Sequence, residues 1–219
     1  MLLLQNLRIT GTIPAEGSNF SGADFDVSEH SLDSNDASYA GYCDLSYGYS
    51  NPCSKASSST ELGVYYNYSA ATAGTVLGSN TTDAVQDICP VGWRLPTGPN
   101  TVAGTDLNRL LNNTISGEQD IASDLTSFNL VAGGHYYGGE LVVADSARWW
   151  SATIADSSLD NAYYRRTALA YVNNFVRGDQ YPLRTHGFYI RCVLQPTMQD
   201  ATSSSLSTLM PNDGNTAIM

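Results

Sequence analysis

Four cysteines, Cys43, Cys53, Cys89 and Cys192, constrain this chain most, because no two of them stand in a C-x-x-C pair. A tetrahedral metal site built from four cysteines usually shows paired spacings of two to four residues, so two disulfides are the better reading than a metal centre or four free thiols. Cys43 and Cys53 close the short segment GYCDLSYGYSNPC, whose Gly, Asn and Pro let it fold back on itself, whereas Cys89 and Cys192 lie far apart beside apolar residues. Three connectivities are open; 43 to 53 with 89 to 192 is favoured because it needs one local and one long closure. Disulfides point to an oxidising compartment. The opening Met1-Leu2-Leu3-Leu4 is too short for a signal peptide, and there is no run of about 18 apolar residues for a membrane span. The expectation is a secreted or cell-surface domain, presented without its targeting segment and with no direct membrane span.

The chain has 219 residues, enough to bury a sizeable core. Only 14% are charged, and Ser, Thr, Asn, Gly and Tyr take the place of the missing charge. Ten basic against 21 acidic residues leave a net charge of -11, the wrong sign for a phosphate backbone, so no nucleic-acid partner is expected. Lys55 is the single lysine beside 14 tyrosines. A surface of Tyr, Ser, Asn and Gly binds through rigid aromatic area and adaptable hydrogen bonds, which favours a recognition module.

Residues 1 to 70 read as loops and short strands. After Pro96, Leu107, Leu110 and Leu111 stand at helical spacing, with Thr105 or Asp106 as cap. A second, less regular helix is expected around Gly117 to Asn129. Between Arg148 and Val193 the stretches WWSATI, NAYYRRTALAYVNNFV and HGFYIRCV alternate apolar and polar residues like three antiparallel strands, with DSSLDN and RGDQYPLRT as turn material. Residues 196–219 lose all periodicity and read as a polar tail or linker, leaving a globular domain of 1–195. Trp93, Trp149 and Trp150 are core candidates whose indole N–H groups need partners. Pro90 and Pro96 bracket an extended segment, and Gly187 permits a tight turn into the last strand.

The order CPVGWRLPT, then WWSAT, then HGFYIRCV resembles the Fibrobacter succinogenes major paralogous domain, a family of bacterial secreted and surface proteins. The resemblance spans roughly Leu2 to Val193. It implies an α+β, C-type-lectin-like fold of short antiparallel strands, one or two helices and much irregular loop, related to the formylglycine-generating enzymes. It also implies the pairing of Cys89 with Cys192 and a structural role for Arg191. The chain departs from the family in opening at LLLQNLRI, without the usual first hairpin, which would leave a strand edge exposed. Its tail resembles the spacer between tandem relatives, so tandem repeats and self-association belong among the possible arrangements.

Catalysis finds little support. The reactive C-terminal cysteine pair of formylglycine-generating enzymes and the histidine cluster of the related iron sulfoxide synthases have no counterpart, and G-x-S-x-G is absent. His30, His135 and His186 lack a second ligand at i+2 or i+4, so no metal or other cofactor is expected, and His186 reads as a surface or turn residue. Asp24 and Asp26, like Asp33 and Asp36, miss EF-hand spacing and read as solvated loop. The sugar-chelating E-P-N, Q-P-D and W-N-D motifs are missing. The sequons at Asn19, Asn67, Asn80 and Asn112 are what chance yields in so Asn-, Ser- and Thr-rich a chain.

Charge distribution says more. Between Arg148 and Cys192, Arg148, Arg165, Arg166, Arg177, Arg184 and Arg191 face only Asp156, Asp160 and Asp179, a local excess of three positive charges in an acidic chain. Arg and Tyr interleaved in this way compose binding hot spots. The candidate ligand face is therefore Asp156, Asp160, Tyr163, Arg165, Tyr171, Asn173, Asn174, Arg177, Asp179, Tyr181, Arg184 and His186, and its expected partner is a protein or an acidic glycan on another cell or surface. In C-type-lectin-like domains this region forms the ligand face, and diversity-generating retroelements mutate it in their variable proteins. From 156 to 186 only Gln180 lies outside the residues that adenine-directed mutation of an Asn codon reaches, a depletion too small to separate from composition. The reading is a non-catalytic binding domain; the alternatives are a formylglycine-generating-enzyme-like oxidase and a structural repeat of a surface fibre.

Overall fold

A computed structural model describes residues 5–27, 30–43, 51–59, 62–74, 83–98, 103–110, 118–120, 131–142, 146–154, 166–172, 175–180 and 183–195. The expected tail, 196–219, lies outside them. Among the described residues the fold is α+β, with short, mostly antiparallel strands and two short helices.

Both disulfides have the expected partners. Cys43 bonds Cys53 across a separation of 10 residues, and Cys89 bonds Cys192 across 103. No helix among the described residues is long and apolar enough to cross a membrane.

The centre is a ribbon buried on both faces. Strand β4 (Val64–Tyr66) pairs antiparallel with the extended segment 187–190, through Tyr66 N–H to the Phe188 carbonyl at 2.8 Å and the reverse bond at 2.9 Å. On its other edge, that segment runs parallel to β9 (Ser146–Ile154): Tyr189 N–H donates to the Arg148 carbonyl at 2.9 Å, and Trp150 N–H to the Tyr189 carbonyl at 3.0 Å. Successive strand residues point to opposite faces. Val64, Tyr66, Phe188, Ile190, Trp150 and Ala152 accordingly enter one core cluster, while Tyr65, Tyr189, Ala147 and Trp149 enter the other. Runs such as VYY, FYI and WW are what a ribbon covered on both sides requires.

Strand β9 also begins a four-stranded antiparallel sheet, in the order β9, β10 (Arg166–Val172), β11 (Phe175–Gln180) and β6 (Glu118–Asp120). Three expectations change here. Residues 118–120 are strand where a helix was expected, because Phe175, Val176 and Arg177 of β11 pair with them. The stretch NAYYRRTALAYVNNFV does not make one strand: Val172 pairs with Phe175, leaving two residues to link β10 to β11. Arg177–Gln180, read as turn, belong to β11 for the same reason.

Smaller elements surround this frame: β1 (Thr12–Ile13) with β2 (Phe25–Asp26), β3 (Ser54–Ala56) with β4, β5 (Trp93–Arg94) with β12 (Val193–Leu194), and β7 (His135–Tyr137) with β8 (Glu140–Val142). Gly138 and Gly139, at φ 60° and 85°, form the β7–β8 turn, which requires positive φ at both central positions. Helix α1 (Tyr68–Ala71) is capped by buried Asn67, whose side chain accepts from Ala70 N–H and from Cys53 N–H at 2.9 Å each. That sequon is thus committed to the interior. Helix α2 (Asp106–Leu110) starts as expected, with the Thr105 hydroxyl accepting from Asn108 N–H at 3.2 Å. Asp106 holds Arg94 in a two-pronged ion pair at 2.6 and 3.1 Å. Burial opposes its charge, but Arg94 and the Thr97 N–H and hydroxyl outweigh that and hold its carboxyl below the ordinary range.

The indoles of β9 find the partners they need. Trp150 Nε1 donates to the Tyr66 carbonyl at 2.7 Å, and Trp149 Nε1 donates to Asn6 Oδ1 at 2.6 Å. The same Asn6 oxygen accepts from Arg191 Nε at 2.9 Å, while the Asn6 amide donates to the Leu62 carbonyl at 2.7 Å. Leu7 follows with its N–H on the Ile190 carbonyl, so residues 6 and 7 cover one edge of the central segment. Gly187 is glycine by close approach: a Cβ there would stand 2.5 Å from Leu32 Cδ1 and 2.8 Å from Tyr136 Cβ.

Candidate functional site

Of the twelve candidate ligand residues, Asp156, Asp160, Tyr163, Arg165, Asn173, Asn174 and Tyr181 lie outside the described residues. The backbone places Tyr171 on β10, and Arg177 and Asp179 on β11. Pairing aligns Arg148, Ala170, Arg177 and Glu118 in one row across the sheet, with Ala147, Tyr171, Val176 and Gln119 in the next. Residue positions at the heart of the candidate segment are therefore held next to β9, the strand that carries the tryptophans.

Arg184 and His186 sit elsewhere. Both lie in the turn before Gly187, closed by His186 N–H on the Leu183 carbonyl at 3.1 Å, and both are buried, at 0% and 9% exposure. His186 is a turn residue, as read from the sequence, but an interior one.

The Phe188 ring organises the surroundings of His186. Trp150 stacks on it at 4.4 Å. His135 from β7 stands edge-on at 5.7 Å, His186 at 5.8 Å, and the Arg148 guanidinium from β9 at 5.6 Å. The two imidazoles are 6.4 Å apart, and Tyr137, half-exposed on the β7–β8 hairpin, meets His186 edge-on at 4.8 Å. Register explains the convergence: Tyr136 pairs with Gly187 and Gly134 with Ala147, which brings residues 135, 148 and 186 beside one another. Among the described residues neither ring nitrogen of His186 has a hydrogen-bond partner, nor does His135 Nδ1, Arg148 Nε or Thr185 Oγ1, although all are buried. His135 and Arg148 were not among the candidate ligand residues. The 50 positions between the two histidines carry no motif spacing, and only the strand pairing joins them.

Burial, with Arg148 nearby, lowers the His135 pKa from 6.5 to about 4. Burial, then His135 and Arg148, lower His186 to about 3. Both rings are neutral in the native protein at pH 7. In the unfolded chain they take up protons below about 6.5, so stability is fully present above that pH and is lost as pH falls from 6.5 through the folded values of about 4 and about 3. Asp87, its pKa raised by burial against the N–H bonds from Leu95 and Cys89, acts in the opposite sense. The urea midpoint is expected to drop between pH 6.5 and 4.5, and the drop should shrink in a His135→Phe, His186→Phe double variant. Equal slopes for the two proteins would remove the histidines from the account.

Other polar clusters are committed to the fold. A cleft of about 180 Å³ is lined by Asn19, Asp83, Val85, Asp87, Arg94 and Thr97 among others. Asp87 there accepts from Cys89 and Leu95 N–H, each at 2.9 Å, and so shapes the loop around the buried Cys89. Asp33 and Asp36 accept from the N–H groups of Asn35 and Ser38, at 3.0 Å each, and Asp24 accepts from Ala15 N–H at 3.0 Å, all within the loops the sequence predicts. Among the described residues no group of three His, Cys, Asp or Glu stands together as a metal site.

Taken with its two disulfides, the fold defines a small, cross-linked α+β domain. No family model, curated protein or solved structure matches the chain.

Proposed function

We propose that the chain is a C-type-lectin-like domain of a bacterial secreted or surface-displayed protein, related to the Fibrobacter succinogenes major paralogous family, and that it binds a protein or glycan without catalysing a reaction. The observation that carries the reading is how the motif residues are used. Trp93, Trp149, Trp150, Phe188 and the Cys89–Cys192 bond come from three separate motifs and are all buried in the frame. That frame anchors both ends of the Arg- and Tyr-rich segment 156–186: β9 leads into it, and the buried turn before Gly187 takes it out. A rigid scaffold presenting a variable segment is the usual arrangement of a recognition domain. The two disulfides fit an oxidising, extracellular setting.

With Arg184 and Arg191 buried, Arg165, Arg166 and Arg177 are the arginines left in the segment to meet an acidic epitope or acidic glycan. Probing glycan and protein arrays with the oxidised domain is the first test. Capture of acidic members, weakening as salt rises, is the expected result; capture of neutral members alone, insensitive to salt, would count against an electrostatic face.

A further inference from the structure

The Phe188 cluster buries polar atoms that have no hydrogen-bond partner among the described residues. An imidazole is costly to bury without hydrogen bonds, and an apolar ring of similar size would fill its place at lower cost. Here both nitrogens of His186, Nδ1 of His135 and Nε of Arg148 gather around one aromatic ring, where the two imidazoles are 6.4 Å apart. The Thr185 hydroxyl is a further buried oxygen without a partner among the described residues. The N–H of His186 and the Nε–H of Arg148 thus meet no acceptor among the described residues.

We propose that His135, Arg148 and His186 form a receptor for a single carboxylate group, entered beneath the half-exposed ring of Tyr137. Charge decides the class of ligand. Both imidazoles are neutral at pH 7, so the cluster carries the one positive charge of Arg148, and a carboxylate neutralises it. A dianion such as phosphate would leave a buried negative charge without compensation. A divalent cation would meet the guanidinium as a like charge. Each neutral imidazole supplies one N–H donor, and the planar guanidinium supplies donors matched to a carboxylate. Tyr137, 52% exposed and edge-on to His186 at 4.8 Å, is the residue that stands between the cluster and solvent.

The site deepens the ligand-binding reading by adding His135 and Arg148 to it and by naming a carboxylate as the bound group, yet it stands on its own contacts. The test is a titration of the full, oxidised chain with sodium acetate at constant ionic strength, followed by the imidazole nitrogen resonances of ¹⁵N-histidine-labelled protein. The expected result is a saturable shift of His135 and His186 but not of His30, weakened at least tenfold in Arg148→Met. Inorganic sulfate should produce a smaller response. Should Arg148→Met lose its native spectrum, His135→Phe serves instead and should remove the saturable response of His186. Absence of a saturable shift up to molar acetate, an equal response of His30, or a stronger response to sulfate would overturn the site. A variant carrying Arg165→Ala, Tyr171→Ala and Arg177→Ala should keep acetate binding while losing ligand captured on the arrays. Lost acetate binding with retained array capture in His186→Phe would leave the ligand face standing and refute the carboxylate as its means of recognition.

Discussion

Replacing Cys89 and Cys192 together by serine is expected to lower the stability of the domain by about 5 kcal/mol, against about 3 kcal/mol for the pair Cys43 and Cys53. The difference lies in the unfolded chain. One bond closes a loop across 103 residues and the other across 10, and the entropy removed from the unfolded ensemble grows with the logarithm of loop length. Both Cys89 and Cys192 are fully buried, so the long bond also holds the β5 and β12 neighbourhoods against the main core. A loss of about 5 kcal/mol is comparable to the whole stability of many domains of this size. The long-loop variant should therefore be largely unfolded at 37 °C while the short-loop variant stays folded. Urea unfolding of both variants, monitored by tryptophan fluorescence, checks this; equal midpoints, or a larger loss from the short loop, would contradict it.

Asn6→Ala is expected to cost about 3 kcal/mol, a large effect for one small polar side chain. Asn6 is 4% exposed, and its oxygen accepts from both Trp149 Nε1 and Arg191 Nε. Removing it takes an acceptor from a buried indole and from a buried guanidinium that also lies over the Trp149 ring at 5.3 Å. Burial already lowers the Arg191 pKa to about 10, which shows how poorly solvated that charge is. Asn6→Asp separates the contributions: it keeps the acceptor and adds a countercharge, but puts a carboxylate oxygen against the Leu62 carbonyl where the amide donated. Its cost should be below that of alanine, as measured by urea midpoints at pH 7. An aspartate variant less stable than the alanine variant would show that the Leu62 bond, rather than the shared acceptor, matters at this position.

Local chemistry carried much of the frame in a form that could be read from sequence. The cysteine spacing indicated the pairings, the indoles marked the core, and Thr105 stood where a helix cap belongs. Long-range pairing decided what could not be read. Asn6 lies 143 residues from Trp149 and 185 from Arg191, and nothing around it in the chain distinguishes it from a loop asparagine. Gly187 read as a turn glycine because its crowding by Leu32 and Tyr136 comes from distant segments. Residues 118–120 are too few to show a period of either kind, and pairing with β11 made them a strand. The ligand segment showed its composition but not its placement: Arg184 and His186 belong to the same Arg- and Tyr-rich stretch as Arg177, yet they turn inward. His135 and Arg148 became visible only when three segments met at Phe188.

Whether residues 156–186 carry the proposed ligand face is decided by comparing the affinity of the native domain and the Arg165→Ala, Tyr171→Ala, Arg177→Ala variant for a ligand captured on the arrays. Surface plasmon resonance on both proteins, with matched thermal midpoints, is the measurement. Hot-spot arginines and tyrosines each contribute on the order of 1 to 2 kcal/mol, so a ligand face in this segment gives at least a hundredfold loss of affinity, and an unchanged dissociation constant would place the face elsewhere.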